Sequence, residues 1–291
     1  MLDLKLNKMH PMFAPFAPLQ TLRRLGQLLL LAVVVGLVGC EVPINVDFPT
    51  TPPRLVVEGY ITNLPEPQSV RISRSTNFDV PNSAIPAVSG ARVIIWDDHG
   101  QRDTLREVEP GLYQTENIVG ISHRTYYLQV EVDGYTIEGQ STLPDVVELQ
   151  ALFLQDTVRP PTFERSLYVT TFGRDPDTLG NYYRQRYFTN DSLHRDGPLD
   201  FLIVEDKFIN GQNIVFPYGY ITRPGDSITV ELMSLTRDGF QFYSSLQAQA
   251  VTGSPLAPPP GNIFTNLRGA PGVLGIFSAE GRHRLSVIIP E

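Results

Sequence analysis

The chain has 291 residues, of which 42% are apolar and 19% charged, so it can bury a core and is not disordered along its length. Its 23 glycines and 25 prolines break helices and mark turns, which excludes a helical bundle or an α-solenoid. A formal charge of −8 leaves no electrostatic footprint for nucleic acid or an anionic membrane surface, and argues against nucleic acid as a partner.

Residues 28–38, LLLLAVVVGLV, form an unbroken apolar run preceded by Arg23 and Arg24. The run falls short of the about 20 apolar residues a membrane-spanning helix needs, and it reads as the hydrophobic region of an export signal. It ends at Leu37-Val38-Gly39-Cys40, a lipobox whose small residues admit the peptidase and whose thiol accepts a diacylglycerol. The expectation is a signal peptide over 1–39 and a lipidated, palmitate-bearing Cys40 as the first mature residue. Met1, Met9 and Met12 all remain open as the start. Removing Lys5, Lys8, Arg23 and Arg24 at the cost of a single Asp3 makes the mature chain more acidic still. Cys40 is the only cysteine, so its lipidation leaves no thiol for a disulfide, a zinc thiolate site or a nucleophile. Residues 41–53, with prolines at 43, 49, 52 and 53, read with Cys40 as a tether over 40–53.

Order is expected from Arg54. Leu55, Val57 and Ile61 alternate with Val56, Glu58 and Tyr60, and Val70 and Ile72 alternate with Arg71 and Ser73, the period of strands. Ala91–Trp96 gives a third strand, closed by the turn Asp97-Asp98-His99-Gly100. Tyr126–Val132 and the stretch from Tyr135 flank Asp133-Gly134, the dipeptide of a type I′ hairpin turn. Such strands predict a mainly β protein whose residues 54–143 form an immunoglobulin-like or transthyretin-like β-sandwich able to fold alone.

Leu143-Pro144-Asp145 marks the expected boundary, with a second mainly β domain over 144–291. Its extended stretches are 167–172, 182–188, 201–205, 213–216 and 227–235. One helix is predicted over 238–251, capped by Asp238, with Phe242, Leu246 and Ala250 on one face. A Pro/Gly-rich loop follows over 252–272, and two closing strands over 273–278 and 284–289.

No catalytic constellation stands out, so no enzymatic activity and no cofactor are expected. His99, His123, His194 and His283 lack metal-ligand spacing and read as surface turns or strand ends. The Asp97–His99 turn reads as a hairpin tip rather than a metal site. The carboxylates at Asp175, Asp177, Asp191 and Asp196 have no EF-hand order, and no G-x-S-x-G or phosphate loop appears. The one binding candidate is Phe264, in a loop whose prolines lower the ordering cost of binding; the competing reading makes it a plug of its own core.

Beyond these patterns, several segments carry a resemblance: Cys40 followed by an acidic residue, LVVEGYIT at 55–62, VSGARVIIWDD at 88–98, GLYQT at 111–115, TYYLQV at 125–130, FQFYSSLQAQ at 240–249 and GNIFTNLRGAPGVLGIFSA at 261–279. In order and spacing they resemble the lipoproteins of the Bacteroidota known as domain of unknown function 4249. The resemblance implies an outer-membrane location, through the lipid anchor, and an accessory role beside a TonB-dependent receptor in uptake. It names no ligand, and periplasmic and surface-exposed leaflets both stay open. A cell-envelope adhesin or glycan-binding module is the alternative, and an envelope hydrolase with an unrecognised site the third.

Substituting Cys40→Ala should abolish palmitate labelling and membrane retention. A variant that still partitions into detergent like the parent would assign the anchor to something else.

Overall fold

The computed structural model describes residues 52–76, 85–159, 164–194, 203–218, 222–250 and 262–290. Cys40, residues 41–51 of its tether and residues 252–261 of the Pro/Gly-rich loop lie outside them. The chain is mainly β, as its composition requires. Strands β1 (Leu55–Thr62), β2 (Ser69–Arg74), β3 (Arg92–Asp97), β4 (Arg102–Thr104), β5 (Arg106–Glu109), β6 (Leu112–Gln114), β7 (Thr125–Val132) and β8 (Tyr135–Thr142) make up the first half. The second half holds β9 (Leu149–Arg159), β10 (Glu164–Arg174), β11 (Tyr182–Thr189), β12 (Ser192–Leu193), β13 (Ile203–Glu205), β14 (Asn213–Tyr218) and β15 (Ser227–Leu235). Helix α1 (Arg237–Ala250) and strand β16 (Leu274–Ile288) complete it.

Among the described residues these strands form three sheets. A long sheet runs β12-β11-β15-β16-β1-β2-β6-β5, with β13 also on β11; the others are β4-β3-β7-β8 and β14-β10-β9. The alternation read in β1 and β2 turns Leu55, Val57, Ile61, Val70 and Ile72 inward, against Val93, Ile95, Leu128, Val130 and Ile137 of the four-stranded sheet. This is the expected sandwich. The β7–β8 hairpin closes as the Asp-Gly dipeptide predicts: Asp133 and Gly134 both have positive φ, 50° and 78°, with Val132 paired to Tyr135.

A second core begins just past the expected boundary at 144. Val147, Leu149, Val169 and Ile214 meet Tyr183, Tyr187, Val230 and Leu232, so the three-stranded sheet packs on one face of the long sheet. On the other face α1 sets Phe242 and Tyr243 against Met233, Leu235 and Ile276. Its cap differs from the expected Asp238. Thr236 accepts the Gly239 N–H at 3.1 Å through its Oγ1, and Asp238 sits within the first turn, where a carboxylate favours the helix dipole.

The larger difference lies at the end of the chain. In place of two closing strands there is one, β16, whose first part pairs parallel with β1 (Val56↔Leu274 to Thr62↔Glu280) and whose second part pairs antiparallel with β15 (Ser234↔Gly281 to Ser227↔Ile288). Position 144 therefore marks a change of core but not of sheet, and residues 51–291 form one compact unit. The sandwich core of 54–143 is completed from the far end of the chain by Leu267, Val273, Phe277 and Ala279.

Phe277 is the tightest of these joints. A Cβ on Gly59 would lie 2.9 Å from its ring, and one on Gly139 3.0 Å from its Cβ, so both strands are glycine where the side chain passes. Along this stretch the edge of β16 that faces away from β1 has no strand neighbour among the described residues, and side chains supply its partners. Asn266 accepts the Phe277 N–H (3.0 Å) and donates to its carbonyl (2.8 Å), and Ser141 accepts the Ala279 N–H at 2.9 Å. Phe277→Ala should cost about 3 to 5 kcal/mol and lower the midpoint of one cooperative transition monitored through both halves. Two separate transitions, with only the first displaced, would show that the halves fold independently.

Candidate binding sites

The acidic and histidine residues noted in the sequence are mostly occupied in holding turns. Asp97, Asp98 and His99 stand close enough for a shared ion. Asp97, however, accepts the His99 and Gln101 N–H groups at 3.0 and 2.8 Å and binds Arg124 at 2.8 Å. Asp98 takes the Thr125 N–H and the His99 ring. Asp175 is buried, accepting the Tyr183 hydroxyl and the Gly211 N–H. Its neighbour Asp177 is 83% exposed. His123 pairs with Asp145, and His194 meets Thr189 Oγ1 at 2.6 Å. His283 departs from the surface reading: it lies inside β16, where its Nδ1 accepts the Leu149 N–H at 3.1 Å and ties β9 to the long sheet. Phe264 is half-buried against the α1 cluster, its N–H donated to Ser245 Oγ at 3.0 Å.

Two other places gather side chains that a ligand could use. The first is the outer face of the four-stranded sheet. Register puts Arg102, Trp96, Tyr127 and Gln140 in one row across β4, β3, β7 and β8. Because Ile95 and Leu128 turn inward, Trp96 and Tyr127 turn outward, and their rings stack at 5.5 Å with 16° between planes. Arg102 extends the row, its guanidinium 5.8 Å from the Trp96 ring. Beside the stack lies a cleft of about 260 Å³ lined also by Glu138, Gln140, Asn266 and Arg268. Its far wall is fixed by backbone pairing of Glu138 with Arg268 and by the ion pair between their side chains at 3.2 Å. The signal for this site was present as alternation: aromatic residues at outward positions of adjacent strands.

The second place is the face of the long sheet that carries α1. Arg186, Glu231 and Arg284 form one row across β11, β15 and β16. The Glu231 carboxylate, fully buried, accepts from Arg186 Nε at 2.8 Å and Arg284 Nε at 2.6 Å. Glu280, also fully buried, accepts from Arg282 (2.6 Å) and from the Tyr243 hydroxyl at 3.2 Å. Arg184 lies over the Tyr243 ring, 4.1 Å from its centroid. Glu58, further along the face, has its carboxyl raised by burial against the pull of Arg71. The legible signal was charge at every second position, Arg184-x-Arg186 and Glu280-x-Arg282-x-Arg284, but only pairing across strands shows that these charges meet.

Burial alone would raise the Glu231 carboxyl, but Arg282 and Arg186 outweigh it and hold the group below its ordinary value of 4.5. A depressed folded value means that its contribution to stability is present above the ordinary carboxylate range and is lost as pH falls through the folded value. Glu231→Gln should therefore cost about 1.5 to 3 kcal/mol near neutral pH, because it replaces the buried carboxylate by a neutral amide, which keeps one acceptor oxygen but no charge for Arg186, Arg282 and Arg284. The gap between wild type and variant should narrow in acid. Denaturant midpoints at about pH 7 and about pH 3 check this, and a gap that is constant with pH would remove Glu231 from the linkage.

No helix among the described residues is long and apolar enough to cross a membrane. No curated protein matches the chain. The family described as Domain of unknown function (DUF4249) matches residues 41–285, which includes every sheet, both candidate sites and the Asn266–Phe277 clamp, and the chain belongs to that family.

Proposed function

We propose that this protein is a lipid-anchored, non-catalytic binding protein of the outer membrane that serves as an accessory to a TonB-dependent transporter, docking through the outer face of its four-stranded sheet. The observation that carries the docking face is the Trp96–Tyr127 stack with Arg102 beside it. Tryptophan, tyrosine and arginine are the residue types that dominate the energetics of protein interfaces, because each brings a large contact area and a polar handle. On this face they are held by strand pairing, so little ordering remains to be done on binding. The lipobox and Cys40 support the membrane address, and the resemblance of the chain supports the transporter as partner.

A saccharide is the second reading, favoured by the cleft beside the stack, where Glu138, Gln140 and Asn266 place hydrogen-bonding groups next to a flat aromatic surface. The two readings separate experimentally. The tagged wild-type protein, recovered from detergent-solubilised outer membranes, should bring a TonB-dependent transporter with it. Trp96→Ala should lose that partner at an unchanged melting temperature, since the ring is only half-buried. Recovery of the transporter by wild type and variant alike would move docking off this face. Failure of the wild type to recover one, together with Trp96-dependent retention on an immobilised envelope glycan, would decide for the saccharide.

A further inference from the structure

The cleft beside the Trp96–Tyr127 stack has one further lining residue, Asp238, brought there by the first turn of α1. Two of the other polar side chains around it are already committed. Glu138 is paired with Arg268 at 3.2 Å. Asn266 accepts the Phe277 N–H and donates to the Phe277 and Gln140 carbonyls. Asp238 differs from both. Thr236 caps α1 in its place, and among the described residues no hydrogen-bond donor or cation meets the Asp238 carboxylate. The aromatic row is open on the same side. Its Trp96 end is covered by the Arg102 guanidinium, 5.8 Å from the ring. At its other end Trp96 covers one face of the Tyr127 ring, and the opposite face turns along the row toward β8 and the cleft. Among the described residues no cation lies over that face.

We infer that this cleft receives a guanidinium group, laid over the open face of Tyr127 and bonded at its edge to Asp238. The inference rests on the docking reading above for its source, an arginine side chain presented by the docked partner. A guanidinium is planar, stacks on aromatic faces and offers paired donors that match the two oxygens of a carboxylate, so one group satisfies both walls of the cleft. Arg102 on Trp96 shows that the row already carries such a group at its covered end. Charge points the same way: Glu138 and Arg268 cancel, which leaves the Asp238 carboxylate uncompensated in the cleft, and a formal charge of −8 favours the approach of a cation. A volume of about 260 Å³ lies near the lower end of small-molecule sites, which suits a single side chain rather than a polymer.

Trp96 is the only tryptophan of the chain, so its emission reports on this row alone. The test is titration of the full-length protein in detergent with N-acetyl-argininamide, followed by Trp96 fluorescence. Sodium chloride at matched ionic strength, N-acetyl-lysinamide and urea, an uncharged planar analogue, are the comparisons. A saturable change with the arginine compound is expected, with weaker binding of the lysine compound and none of urea. Asp238→Asn should weaken binding by about tenfold, as loss of a charged hydrogen-bond partner requires. Arg268→Ala should strengthen it, because it frees the Glu138 carboxylate while the backbone pairing of Glu138 with residue 268 remains. A merely structural disturbance would not move the two variants in opposite directions. The proposal is overturned by the absence of saturation beyond salt, by equal binding of the lysine compound or urea, or by variants that fail to diverge. The docking reading fails separately, through recovery of the transporter by Trp96→Ala. Displacement of a recovered transporter by excess N-acetyl-argininamide supports the partner's arginine as the source. Saturable binding that leaves the transporter in place supports the cleft but overturns that source in favour of a free guanidinium compound.

Discussion

The parallel pairing of β1 with β16 is the interaction on which the rest of the molecule depends. Parallel neighbours need a long crossover, and here the crossover is nearly the whole described chain, from Thr62 to Leu274. One strand thus belongs to both ends of the sequence. Its first part seals the sandwich through Phe277 and Ala279, and its second part pairs with β15 and continues the sheet over the second core. Asn266 makes this possible by acting as a one-residue strand against the bare edge at Phe277, so that the edge is covered without a further strand.

The same strand explains why charge sits where a core might have been. Glu280-Gly281-Arg282-His283 has the composition of a turn, yet it is the middle of a continuous strand. It can be so because each group finds its counterpart on the sheet: Glu280 with Arg282, Asn63 with the Arg282 backbone, and His283 with the Leu149 N–H. Buried charges of this kind are costly to remove from water and are stable only as a complete set. A set built across several strands also fixes their register, because a slip by one residue would turn every arginine to the opposite face.

The two candidate sites follow from this construction in different ways. The Trp96–Tyr127 stack is a local product of two neighbouring strands whose inward positions are strongly apolar, so its rings had to face outward. The arginine-bearing face is a product of topology. Arg184 and Arg282 come from strands that never touch and are brought onto one face by β15 between them. Helix α1 then closes one side by laying Tyr243 under Arg184. Phe264, chosen from the sequence because the prolines of its loop lower the ordering cost of binding, packs beside that helix.

The sequence by itself determined the β class, the longer strands from 55 to 143 with their Asp-Gly hairpin and the helix near 238–251, because each is encoded in adjacent residues by period or turn chemistry. It left out β4, β5 and β12, each of two to four residues, too short for a period to show, and it also left out the eleven-residue β9. It also divided β16 in two, since the polar stretch at 280–283 can be read as a strand only when the groups that neutralise it are known. Those groups lie far away in sequence: Asn63, Leu149 and Glu231. The joining of both halves through one sheet, the meeting of Arg184 with Tyr243 and the seat of Phe277 between two glycines were decided by tertiary structure alone, because pairing between distant strands depends on which edges and faces remain to be covered after local structure has formed.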